Sequence, residues 1–539
     1  MSISKANRFP GRPAIVLFCV ALVSLSFLTA FVFAQTIAPA VRDPGPRKGG
    51  PDAGDVINGV NGSEFNAWFD GGQLFGEVFS VSGTISGEPG SGLGPTFNGN
   101  FCETCHATPA PGGTSPNPKS VAVQGNFFPA FGNVPNNAQN QQVGLATLDG
   151  ATNTPPSFIT LNGPTREARF KFMPDGTTPD GAVHALYSIK GRSDAHGCAL
   201  PQNEFSNADN IIFRIPTPTF GVGLVENTPD QELLSLLRAN AAAKQALGIA
   251  GKVNRNGNDT SITRFGWKAQ NKSLLVFSGE ASNVEMGVTN ELFNNERFPL
   301  PNQQVFVRGC TFNRTPEDVT GIEQAVIPPP PPPLGNPNEI SSLITRLAIF
   351  MRLNAPPTAH PEGYSTATET ITQAQITAGR AIFDIPSSLV PSSAVLTSDD
   401  PADPTIVPDS PGTSTGIGCA LCHTPSLKTT QSPFVALNNV AFAPFSDFAL
   451  HHMGTGLADG VSQGSATGDE FRTAPLWGLG QRIFFLHDGR VGPGQALQFL
   501  QDVIAAHKSP GSEANAVIDR FNALSSTDKN NLLAFLRSL

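Results

Sequence analysis

Two five-residue segments carry cysteine and histidine at a chemically meaningful spacing: Cys102-Glu103-Thr104-Cys105-His106 and Cys419-Ala420-Leu421-Cys422-His423. Two cysteines three residues apart lie on one side of a helical turn, and the next residue projects its imidazole from that same turn. Both thiols can then add to the vinyl groups of a haem while the histidine supplies the proximal ligand to its iron. Composition alone predicts about 0.0015 occurrences of this pattern in the chain, and it occurs twice. Zinc is the rival for a CxxC pair, yet neither pair is joined by a second CxxC or an HxxxH at zinc-site spacing. The expectation is two covalently bound c-type haems attached at Cys102, Cys105, Cys419 and Cys422, with His106 and His423 on the irons.

The task of each iron depends on its sixth ligand, since a second strong donor makes an electron-transfer site and an open position binds oxygen or peroxide. Outside the motifs the candidate donors are His184, His196, His360, His451, His452, His487, His507, Met173, Met286, Met351 and Met453. Taken singly, each is more often a core or surface residue than a ligand. Cys198 and Cys310 are left over once the motifs and Cys19 of the leader are set aside, so a disulfide between them is expected in an oxidising compartment. Two buried free thiols are the alternative.

Patterning then indicates the elements that must position these groups. Lys5, Arg8 and Arg12 precede an apolar run from Ala14 to Phe33, and Val32-Phe33-Ala34 offers a cleavage site, so 1–34 reads as a secretory signal. The run, about 20 residues, is long enough to anchor the chain in a membrane if it is not cleaved. The expected location is periplasmic or otherwise extracytoplasmic. Residues 35–97 form a Gly/Pro-rich N-terminal arm that wraps or is partly disordered, apart from a patch around Phe65 to Phe79. An N-terminal haem domain with an insertion covers 98–326, a linker around six consecutive prolines covers 327–337, and a C-terminal cytochrome c domain covers 338–539.

Within these, a strand-like run at Asn210–Pro216 and a helix from about Asp230 to Gly248 are predicted. Ile340, Leu343, Ile344, Leu347 and Phe350 give a helix opening the second domain, and Ser525 with Asp528 caps a last helix. Only 14% of residues are charged, against 54 glycines and 48 prolines, which points to a loop-rich chain with cores built around a cofactor. A net charge of −9 without a basic run excludes nucleic acid and anionic membrane surfaces as partners.

Further segments carry a resemblance. Asn283-Val284-Glu285-Met286-Gly287, eighteen residues after Trp267, resembles the segment that follows the bridging tryptophan in bacterial di-haem cytochrome c peroxidases and their MauG-like relatives. Phe471-Arg472-Thr473-Ala474-Pro475-Leu476 and then His487-Asp488-Gly489 are similarly placed after the second motif. Together with Phe220–Leu224, Phe265–Ala269, His451–Asp459 and Ala505–Leu539, they are most similar to the di-haem oxidoreductase family, over most of the chain from about Asn98. The resemblance implies a mainly α fold with irregular loops and two cytochrome c-like haem domains, the first enlarged by long insertions with some β. It implies catalysis at the His106 haem, electron supply from the His423 haem, relay through Trp267 and proton shuttling by Glu285. A core tryptophan and an exposed glutamate are the plain alternatives for the last two.

The chain also departs from the peroxidases. Gln501 stands where the second haem often has a methionine, so His507, which matches a histidine in this branch, is the expected partner of His423, with Met453 as runner-up. The carbonyls of Arg482 and Phe484 stand where the peroxidases bind calcium, and the arginine charge opposes a divalent cation, so calcium stays uncommitted. The expected function is reduction of hydrogen peroxide with electrons from a small cytochrome c or cupredoxin. MauG-like oxidation of a protein, oxygenase chemistry as in the related rubber oxygenases, and a non-enzymatic electron carrier are the alternatives.

Overall fold

The computed structural model describes residues 40–50, 52–94, 96–115, 140, 142–145, 156–183, 185–186, 189–190, 208–295, 342–389, 412–492 and 499–539. The expected signal segment, the proline run, Cys198 and Cys310 lie outside these residues. Among the described residues are eleven α-helices and only small antiparallel sheets of two or three strands. Ala40–Leu539 forms one unit, and no helix among the described residues is long and apolar enough to cross a membrane.

The N-terminal arm supplies core where the sequence suggested a loose wrapping. Asn61 opens the helix Gly62–Phe75 with a capping box completed by Glu64, and Trp68, Leu74 and Phe75 are buried. That helix packs on Leu343–Leu353, the element expected to open the C-terminal domain. Gly71 permits the approach, since a Cβ there would meet the Arg346 carbonyl. Asp70 takes a forked bond from Arg346 at 2.5 and 2.9 Å. One core, holding Trp68, Phe75, Leu224, Met286 and Phe350, therefore draws on segments from both sides of the proline run. A second core gathers Gln373–Phe383, Asn515–Ala523 and Ser526–Arg537 around Cys419 and Cys422.

Ser525 caps the last helix as expected, accepting from the Asp528 amide at 3.1 Å. The predicted helix over Asp230–Gly248 is two helices, Asp230–Arg238 and Ala241–Leu247. Ala239 is extended and Asn240 is left-handed, with φ of 54°; asparagine tolerates that region better than most side chains, so the break falls there. The strand-like run appears as Ile211–Arg214, which pairs with Glu167–Phe170 in the register Glu167↔Arg214 and Arg169↔Ile212. This small insertion sheet carries charged side chains to the first candidate site.

Candidate active site

Both CxxCH segments fold alike. Cys102–Thr104 and Cys419–Leu421 are single 3₁₀ turns, and the amides of His106 and His423 return to the carbonyls of Cys102 and Cys419 at 3.1 and 3.0 Å. Each imidazole uses Nδ1 on a backbone carbonyl, His106 on Gly113 at 2.9 Å and His423 on Phe445 at 3.0 Å. A ligating histidine is oriented in this way, with Nε2 left for the metal. Burial pulls both imidazoles down to about 4, against the weaker opposing pull of those carbonyls, so they are neutral donors at physiological pH.

A cavity of about 110 Å³ adjoins Cys105 and His106. Its wall carries Glu167, Arg169, Glu280, Glu285 and Trp267, and no second histidine or methionine among the described residues. Glu285 ends the helix Leu274–Met286, where the arm clasps it: the Glu285 carbonyl accepts from the Asn98 amide at 2.7 Å and the Met286 carbonyl from the Gly94 amide at 2.9 Å. One guanidinium, Arg169, serves three acids, with Nε 2.8 Å from Glu167 and other nitrogens 3.9 Å from Glu280 and 3.7 Å from Glu285. Asn98 Nδ2 donates to Glu285 Oε2 at 2.9 Å. Burial, then the negative charge of Glu167, raises the Glu285 carboxyl well above the usual range. Burial also opposes ionisation of Glu167, but Arg169 and the bond with Glu285 outweigh it and hold that carboxyl below normal. The pair thus shares one proton, kept mainly on Glu285. Sequence reasoning missed Glu167 and Arg169; their only signal was a charged tetrapeptide, Arg166 to Arg169, in a sparsely charged chain.

A larger cavity, about 230 Å³, is lined by Cys419, Cys422, His423, Met453 and His507 with mainly apolar neighbours. His507 Nδ1 bonds to the Val503 carbonyl one turn back at 2.7 Å, and its Nε2 has no protein partner among the described residues. Gln501 is not on this wall. Three other histidines are spoken for at both ring nitrogens: His451 lies 3.1 Å from Asp447 and 2.7 Å from Glu513, His360 bonds Asp52 and Glu362, and His452 bonds Asp469 and Glu470. Met286 and Met351 are packed in the first core, and His184 and His196 fall outside the described residues. Trp267 lines both cavities; its indole N–H donates to the Ile215 carbonyl at 2.9 Å, and its ring meets His487 edge-on with centroids 6.3 Å apart. The carbonyls of Arg482 and Phe484 each accept from an arginine, from Arg537 at 2.7 Å and from Arg482 at 2.8 Å.

The donor sets fit haem: two paired-thiol turns, each with a buried neutral imidazole beside a cavity. A family model described as "Di-haem oxidoreductase, putative peroxidase" matches residues 190–326 and 402–539. A solved MauG-like protein associated with microbial copper homeostasis is 14% identical, with 65% of this chain and 95% of that one covered and a TM-score of 0.23, too weak a likeness to inform the fold. No curated protein matches. Two matched segments, which span half of the sequence and include the second CxxCH turn, Trp267 and Glu285, place this chain in the di-haem oxidoreductase family.

Proposed function

We propose that the chain is an exported di-haem c-type peroxidase, reducing hydrogen peroxide to two waters with two electrons and two protons. The reading rests on one asymmetry. The cavity at His106 has acids and arginines on its wall without a second strong ligand among the described residues, whereas the cavity at His423 offers His507 and Met453. Haem bound at the first would supply the peroxide-reducing iron and haem at the second would store electrons.

The chain's own residues then divide the work. Cys102, Cys105 and His106 hold one group, and Cys419, Cys422, His423 and His507 hold the other. Glu285 carries the proton that the departing oxygen needs, and the ionised Glu167 beside it accepts one in return. Arg169 keeps this pair aligned. Trp267, on the walls of both cavities, provides the aromatic path between them. A small cytochrome c or cupredoxin is the proposed donor.

Absorption and paramagnetic resonance spectra of the haem-loaded protein test this reading. Two covalent haem additions by mass spectrometry, one high-spin iron in the half-reduced state, and rapid reaction with peroxide are expected. Two low-spin irons inert to peroxide would leave an electron carrier; a high-spin iron that ignores peroxide would favour oxidation of another substrate.

A further inference from the structure

Two arginines on the wall of the larger cavity have no anion to balance them. Arg472 ends the short strand Glu470–Arg472 and is 8% exposed. Its Nε donates to the Gly266 carbonyl at 2.9 Å and its Nη1 to the Thr473 carbonyl at 3.3 Å. Arg482 donates from Nε to the Phe484 carbonyl, and its Nη2 is buried with no partner. Among the described residues no carboxylate bonds or pairs with either.

Of the other deeply buried cations, Lys244 is held by the Leu236 and Leu237 carbonyls, and the rest contrast with the two arginines. Arg214 and Lys268 share Asp459, Arg537 has Asp43, Arg264 has Asp230 and Arg169 has Glu167. Burial alone draws Arg472 and Arg482 down to about 10, which still leaves both cationic at neutral pH. Each guanidinium also lies over an aromatic ring, Phe448 and Phe485 respectively, but a ring quadrupole attracts a cation without neutralising it. Two buried charges without a counter-charge are costly, so the site is built for an anion that the protein itself does not provide.

The rest of the wall says which anion. Ile249, Phe383, Leu479, Leu500 and Val517 make it overwhelmingly apolar, as suits a flat hydrophobic group whose charge is confined to one edge. A c-type haem has that character, with two carboxylate arms on one side of its ring. Guanidinium forks match carboxylates with paired N–H bonds.

We propose that Arg472 and Arg482 form a clamp for the carboxylate arms of the haem held by Cys419, Cys422 and His423, an assignment that rests on the covalent attachment proposed above. The clamp is tied to the relay, because the Arg472 amide donates to the Trp267 carbonyl at 2.9 Å. Both arginines also line the smaller cavity that adjoins Trp267 and Gly266.

The test uses full-length, haem-loaded protein with Arg472→Gln, Arg482→Gln and the two lysine variants, read by haem count and by redox titration of each haem. Removing either charge should leave two haems attached and lower the equilibrium constant for reduction of the second haem on the order of tenfold, since a nearby cation favours the added electron. The lysine variants should recover most of that loss. They should also shift the haem-carboxylate bending band in the resonance Raman spectrum, because the fork geometry is gone; this reading decides the matter if the glutamine variants do not accumulate. A wild-type chain without haem at Cys419 and Cys422 overturns attachment and clamp together. Two haems with unchanged reduction equilibria and an unchanged band overturn the clamp alone.

Discussion

At the scale of single residues, the first site is an electrostatic arrangement of three acids around one guanidinium. Three full negative charges against Arg169 in a buried pocket cannot all persist, so one carboxyl retains its proton. Glu285 is that group, and in the proposed reaction this would make it an acid at the start of a turnover and a base only afterwards. Glu285→Gln keeps the shape and the Asn98 bond but removes the transferable proton. Peroxide turnover in steady-state assays should fall by about 10² to 10⁴ with both haems still attached; full activity in this variant would refute the shuttle. His507→Ala should change the absorption and resonance signature of the second haem and leave the first unaltered. A spectrum unchanged at both sites would transfer the ligand role to Met453.

At the scale of elements, Glu285 is placed by a helix end and by the arm that clasps it. Gly287 closes the helix Leu274–Met286 in the left-handed region, with φ of 69°, accepting the chain reversal that Asn283 and Ser282 carbonyls cap. A Cβ there would lie 2.7 Å from Gly94 Cα and 2.8 Å from the Thr96 carbonyl oxygen. Gly287→Ala therefore combines a left-handed penalty of about 1 to 2 kcal/mol with displacement of the arm. Lower thermal stability and a turnover loss approaching that of Glu285→Gln are expected, with the second haem's spectrum unchanged. Trp267 is held more rigidly, its indole on the Ile215 carbonyl and its backbone carbonyl on the Arg472 amide. Trp267→Phe should slow electron transfer between the haems in flash or stopped-flow measurements, while the first reaction of fully reduced protein with peroxide stays fast.

At the scale of the whole molecule, the two ends of the described chain are joined by a buried ion pair. Asp43 takes both guanidinium bonds of Arg537, at 2.9 and 2.7 Å, with neither side chain exposed. Burial pushes the Asp43 carboxyl up, but Arg537 and the Gly45 and Leu500 amides outweigh it and hold it below the usual carboxylate range. The stabilisation is therefore fully present above the unfolded value of about 3.9 and is lost as pH falls through the lower folded value. Asp43→Asn leaves a buried guanidinium unpaired and should cost about 3 to 5 kcal/mol near neutrality by denaturant melts. The gap to wild type should narrow as the pH falls through and below about 4; a gap independent of pH would show the pair to be idle.

What the sequence determined by itself was local chemistry. A CxxCH turn needs only five residues, and the helix of Leu343–Leu353, the strand Ile211–Arg214 and the Ser525 cap are likewise written in short-range periodicity and capping. The resemblance carried Trp267, Glu285 and His507 because it is an ordered set of short segments. Only the tertiary structure decided what depends on groups distant in the chain. It brought Glu167 from the insertion sheet beside Glu285, which is what loads a proton there. It occupied both nitrogens of His451 and left His507 one free, and it buried Arg472 and Arg482 without a carboxylate. Charge balance and desolvation are sums over all neighbours in space, so no spacing along the chain could have disclosed them.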